Sequence, residues 1–295
     1  MNELSMPAAT ARPRATRRAR LKDGLFDLGI RAAAWTLLAA LFALLLDLAV
    51  QGFGHLSWDF LVSEPRASGR AGGIAPILVS TLALVLIALA VALPLGLATA
   101  VWLVEFTRLG GPAARGLRLS LDVLAGVPSI VFGLAGHALF GPWLGYSLLA
   151  GGLTLACMIL PLLIRSAEAG LHAVDPDWRR GAAALGLRRS TALRHVLLPA
   201  AAPALLAGVM LGLGRATAET AALLFTSGYA DRMPASLLDS GRSLAVHIYE
   251  LSMNVSGGDR AAQASALVLV ALILVLNLAA LRASDRWVRR RMGPA

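Results

Sequence analysis

The sequence predicts an all-α, polytopic membrane protein with six transmembrane helices. Three observations carry that expectation. The chain is 57% hydrophobic and only 15% charged, against about 25% charged residues in an ordinary soluble domain, and a water-facing surface is hard to build from so few charges. Its apolar residues gather into six long runs, with the basic residues collected between them and at the two ends. Its 295 residues allow several crossings of about 20 residues each and leave little for a separate soluble domain.

The runs fall at 32–51, 75–104, 119–140, 147–164, 202–226 and 263–282. The first follows Arg12, Arg14, Arg17, Arg18, Arg20 and Lys22. A cleaved signal would have a shorter apolar core and a small-residue cleavage site; the stretch from Asp47 to Gln51 offers none, so an uncleaved helix is expected. The fourth run is the shortest and starts with glycines. It is kept because of charge parity. Residues 1–31, 105–118, 165–195 and 282–295 hold 7, 3, 6 and 5 Lys and Arg, whereas 52–73 and 228–262 hold 2 and 3. Basic loops stay on the cytoplasmic side. Two basic ends therefore require an even number of crossings, with both termini inside.

The net charge of +10 sits in blocks. It forms no basic stripe interleaved with aromatics, so nucleic-acid binding is not expected. Cys157 is the sole cysteine, which excludes an intramolecular disulfide. No His, Cys, Asp and Glu cluster has metal-ligand spacing, and no nucleophile–base arrangement is present. The expectation is a protein without metal or cofactor that is not an enzyme. The stretch Leu244 to Met253 reads as an amphipathic segment of the second outer loop that can lie along the outer surface.

The inner loop 165–201 reads as two short helices. Asp175 is placed to cap a helix that starts at Pro176 and runs through Trp178, Arg179, Arg180, Gly181, Ala182, Ala183, Ala184 and Leu185, with Gly186 supplying the left-handed turn that ends it. A second helix starts near Ser190 and runs to Leu198, before Pro199. Small residues from Gly181 to Ala184 let another protein approach the first helix closely, and Arg179 and Arg180 are available to acidic groups on that partner. An ordinary basic inner loop has the same composition.

The fifth run contains Arg215 and Glu219, followed by Thr220. Ionisable groups within a membrane are costly, and two of opposite sign four residues apart share a helix face and can pair. The pair serves either as an element of a pathway, with the Arg215 fork suited to an oxyanion, or as a lock between helices. In the third run, Gly126, Val127, Pro128 and Ser129 predict a break. A broken helix either aims free amides at an anion or shapes packing through a kink. Asp47, Glu105 and Asp122, near the predicted membrane edges, read as solvated or snorkelled charges.

Several of these stretches resemble one family. Gly186, nine residues, then Val196, Leu197, Leu198 and Pro199 match the spacing of the loop of ABC-importer permeases, with Arg180 and Gly181 where that family has Glu and Ala. Gly72-Gly73-Ile74 with Pro76, the run from Ala125 to Gly133, the run from Gly214 to Thr226 and the run from Ala266 to Ala280 are similar to phosphate ABC-importer permeases of the PstA type. The likeness covers about residues 72–290. It implies a type I ABC importer permease fold, with residues 1–31 a basic arm, 32–71 a first helix and outer loop, 72–285 the transport domain, 165–201 its coupling loop and 286–295 a basic tail. It also implies a heterodimer with a sister permease (PstC type), two ATPase chains (PstB type) and a periplasmic phosphate-binding protein (PstS type). The chain lacks the phosphate-cradling Gly-x-x-x-x-Gly-Lys-Ser/Thr motif, so ATP hydrolysis is expected on a separate chain. Permeases for molybdate, sulfate or phosphonate, and a membrane protein that moves nothing, are the competing readings.

Overall fold

A computed structural model of the chain describes residues 17–107 and 111–292. The basic arm up to Thr16, Arg108 and the last three residues lie outside the described residues. The chain divides into two units, Met1–Ala49 and Val50–Ala295. The first is the helix α1 (Arg17–Phe53) up to Ala49. Its apolar side chains, Trp35 and Phe42 among them, are exposed.

The second unit opens with α2 (Trp58–Val62), whose first amides are capped by the Ser57 hydroxyl. A two-residue antiparallel ribbon follows, β1 (Pro65–Arg66) on β2 (Ala71–Gly72). Then come α3 (Ala75–Val101), which continues as a wider π turn over Trp102–Phe106, α4 (Pro112–Ala125), α5 (Ser129–Leu144), α6 (Leu148–Ala173), α7 (Pro176–Ala184) and α8 (Arg189–Ala192). A second π turn, Leu193–Leu197, leads into α9 (Leu198–Thr217), followed by α10 (Ala221–Leu224), α11 (Leu244–Met253) and α12 (Asp259–Met292).

Among the described residues, five helices are long and apolar enough to cross a membrane, and the bent pair α4 and α5 makes up to six when taken as one span. The third predicted run is not a straight span: α4 and α5 meet at 110°. The fourth run extends to Ala173, well past its expected end. The second loop helix expected at Ser190–Leu198 is not separate either. Residues 189–217 form one continuous helix, so the fifth crossing begins in the loop. Pro199 has no amide for a carbonyl four residues back. The π turn absorbs the defect, with the Leu198 amide reaching the Leu193 carbonyl.

The core is where α3, α6 and α9 meet, with Leu84, Ala88, Leu155, Ile159, Leu163, Leu213 and Leu223 buried in one cluster. Small residues set the separations, as expected for helices packed in lipid. A Cβ at Gly152 of α6 would lie 2.5 Å from Ile87 of α3, and one at Gly208 of α9 would lie 2.5 Å from Ser166 of α6. At the end of α6 that begins with Leu148, residues 226–242 supply what the helix cannot. The Ser147, Leu148 and Leu149 amides donate to the carbonyls of Thr226, Asp239 and Leu237, and the Ser147 hydroxyl accepts from Ala150. α11 packs into the same region with Leu244, Val246 and Leu251 buried. Its helical bounds match the amphipathic stretch seen in the sequence, but it is wedged between α3 and α12 instead of resting on a surface.

Candidate functional site: a broken crossing and a docked loop

The first candidate site is built where α9 ends. Thr217 is its last residue, with the Thr217 hydroxyl folded back onto the Leu213 carbonyl at 2.7 Å. Glu219 lies beyond the helix, so the register that would align it with Arg215 is lost, and no ion pair joins the two among the described residues. This corrects the pairing expected from their spacing. The Glu219 carboxylate instead accepts from the Ala222 amide at 3.2 Å, capping α10. The Thr220 carbonyl accepts from the Leu223 and Leu224 amides and completes that short turn. Arg215 is exposed at the end of a stripe formed by Pro203, Ala207 and Leu211, the face of α9 turned away from the core.

The break in the third crossing lies beside this turn. Gly126 ends α4, with its amide donating to the Val123 carbonyl at 3.1 Å. Pro128, in an extended conformation, starts α5, and Ser129 is its first helical residue. The bend is far sharper than the kink a proline alone produces, because Gly126, Val127 and Pro128 leave the helix altogether. α5 then presses on α10: a Cβ at Gly133 would lie 2.8 Å from the Ala222 Cα. Val127, Phe132, Ala216, Ala222 and Leu223 share one apolar cluster. Two motifs about 90 residues apart in the sequence are thus one structural region. Gly126 and Pro128 are exposed there, and Ser129, Glu219 and Thr220 are half-buried.

The second candidate site is α7. The Asp175 carboxylate caps it by accepting from the Asp177 amide at 2.9 Å, and Pro176 is the first residue. Gly186 closes it with φ +67°, the Gly186 and Leu187 amides donating to the Ala183 and Ala182 carbonyls. Gly181, Ala183, Ala184 and Leu185 are exposed, Trp178 is half exposed, and Ala182 is buried against the body. The small-residue face is therefore open, while Arg179 is not available to a partner as expected. Its guanidinium donates to the Glu105 carboxylate at 2.9 Å and to the Leu171 and Val174 carbonyls at 2.8 and 3.2 Å. Arg180 pairs with Asp177 at 3.0 Å on the open surface, where such a pair contributes little.

Sequence reasoning missed the charged groups that tie these sites together. Glu105 is a half-buried charge with a partner, and Asp122 is solvated but also paired. Glu105 holds Arg179, and Asp122 pairs with Arg165. Arg118 of α4 bonds the nearly buried Glu168 of α6 at 2.7 Å, with Arg165 and His172 at 4.0 and 3.9 Å from the same carboxylate. Arg165 also donates to the Arg118 carbonyl. α4 is thereby clamped to the α7-proximal half of α6, and α7 to the end of α3. The local signal was Arg165 and Glu168 three apart, which becomes visible only once α6 is known to extend past residue 164.

Residues 92–293 match the family described as binding-protein-dependent transport system inner membrane component. The chain belongs to this family of ABC importer permeases. The permease is 29% identical over 287 residues to the probable ABC transporter permease protein YqgI of Bacillus subtilis, covering 91% of this chain and 94% of that one. It is 32% identical over 279 residues to the phosphate transport system permease protein PstA of Mycobacterium leprae, covering 92% and 91%. Its sequence resembles the PstA type. In fold, the permease is similar to a chain in the crystal structure of a bacterial ABC transporter involved in the import of the acidic polysaccharide alginate, with a TM-score of 0.63 at 13% identity over 90% of this chain and 96% of that one. The permease has the type I ABC importer fold and is a multi-pass membrane protein.

Proposed function

We propose that this permease carries phosphate inward across the bacterial inner (cytoplasmic) membrane, with both termini in the cytoplasm, as one half of a path shared with a PstC-type sister permease. A PstS-type binding protein delivers the anion and a PstB-type ATPase dimer, a separate chain, drives the cycle. The observation that carries this reading is Arg215, an exposed guanidinium within a membrane crossing at the end of the open α9 stripe. An arginine at such a depth is costly unless protein or water meets it, and no carboxylate neutralises it within the described residues. A passage between two permeases provides that shelter, and the guanidinium fork suits a tetrahedral oxyanion. Gly126, Pro128, Ser129 and Thr220 would line the same passage, with the first amides of α5, which have no carbonyl partner within the helix, turned to the anion's use. The names of the PstA relatives support phosphate over other oxyanions.

α7 would be the coupling helix. Trp178, Gly181, Ala183, Ala184, Leu185 and Gly186 present the docking face, Arg179 and Ala182 hold that face to the body, and Arg180 stands at its rim. ATP-driven closure of the ATPases would move it. The test is uptake of labelled phosphate by the full complex reconstituted in vesicles with ATP inside. Unlabelled phosphate is expected to compete and molybdate not to. Uptake indifferent to phosphate and blocked by molybdate would overturn the substrate assignment and leave the permease fold untouched.

A further inference from the structure

We propose that the permease binds an anionic phospholipid in a groove between α3, α9 and α12. The groove has a volume of 340 Å³ and is walled by Leu93 of α3, Leu198, Ala202 and Val209 of α9, and Ala283 and Trp287 of α12. Apart from Ser284 and the Trp287 indole, its side chains offer only carbon. From Leu198 to Val209 it runs eleven residues along α9, about 16 Å at 1.5 Å per residue. That is close to half of a hydrocarbon core of about 30 Å, the depth of one leaflet. The groove is open along one side and apolar along its length, a shape in which an acyl chain can lie.

One end of the groove is basic and the rest is not. Arg194 lies one turn before Leu198, and Arg290 lies three residues after Trp287 on the helix that forms the wall. Both are exposed, and neither joins an ion pair among the described residues; the same holds for Arg282, Arg286 and Arg289 nearby. A ligand with a long apolar body and one anionic end matches this arrangement, and arginines beside an anionic leaflet are favourable by themselves. Trp287, 39% exposed at the rim, sits where an aromatic ring meets the headgroup layer. The site does not depend on what the permease carries.

The test is native mass spectrometry of the purified permease complex incubated with phosphatidylglycerol or with phosphatidylcholine of the same acyl chains. Phosphatidylglycerol adducts on this chain are expected to outnumber phosphatidylcholine adducts by about 25-fold, about fivefold for each of the two arginines. Arg194→Gln with Arg290→Gln should cut the phosphatidylglycerol signal by roughly fivefold for each arginine, the effect of one basic group at an anionic surface, and leave phosphatidylcholine unchanged. Ala283→Trp, at an exposed position of the groove wall, should abolish both adducts with helical content by circular dichroism intact. Equal retention of the two lipids, or full phosphatidylglycerol binding by the double arginine variant, would overturn the proposal. So would a cysteine at Ala283 that crosslinks to the sister permease, since a protein would then occupy the groove.

Discussion

At the scale of single residues, the arginines divide by whether they have found a carboxylate. Arg179 has found one, and it also satisfies two carbonyls at the end of α6. Arg179→Ala is expected to cost about 2 kcal/mol in the docking of α7, the usual value for hydrogen bonds to a charged group. It should also leave ATP hydrolysis running while uptake falls at least tenfold. The exchange Glu105→Arg with Arg179→Glu should recover part of that uptake, which a comparison of vesicle uptake per ATP hydrolysed would show. Arg215 has found none. Arg215→Gln should abolish uptake with normal membrane assembly, and Glu219→Ala should do the same, because it removes the oxygen that accepts from the Ala222 amide and caps α10. Normal uptake in both variants would remove the pathway role. Neither outcome follows from the spacing of the two residues alone, because the helix that would have paired them stops at Thr217.

At the scale of elements, two local arrangements make distinct predictions. The contact of α5 with α10 leaves no space at Gly133. Gly133→Leu should push the two apart and destabilise the fold by about 1–3 kcal/mol, the common cost of overpacking, measured as a lowered melting temperature in detergent. In α11, His247 is fully buried, with Arg242 3.4 Å from its Nδ1 and Gly69 packed on its ring. Burial first, and then the Arg242 charge, pushes its pKa down from 6.5 to about 3. The unfolded chain therefore binds a proton between those values and the folded chain does not, so stability is complete above pH 6.5 and falls as the pH drops toward 3. Acidification to pH 5 should cost about 2 kcal/mol, at 1.36 kcal/mol per pH unit. His247→Gln should flatten that dependence, as followed by hydrogen exchange in Leu244–Met253.

At the scale of the whole molecule, the charged clamp joins the element that would meet an ATPase to the broken crossing. α7 is held to α3 through Arg179 and Glu105, and α4 to α6 through Arg118, Glu168, Arg165 and Asp122. A push on α7 would thereby be delivered to helices that reach the break at Gly126–Pro128. With Cys157 replaced by serine, a cysteine at Ala183 should crosslink to the ATPase in a nucleotide-dependent way. Absence of a crosslink in every nucleotide state would count against α7 as the docking element.

The sequence by itself determined where the apolar runs and the helix caps fall, because both are local. A run of apolar residues pays for burial in lipid wherever it lies, and Asp175, Pro176 and Gly186 act on their own helix ends. It also determined the family, through short motifs in Gly126–Gly133 and Gly214–Thr226. Only the tertiary structure decided which charges meet. Glu105 and Arg179 are 74 residues apart and Arg118 and Glu168 are 50 apart, and nothing local distinguishes such partners from solvated neighbours. It decided too that α4 and α5 meet at 110°, since glycine and proline permit a break while its angle is set by what the two halves pack against.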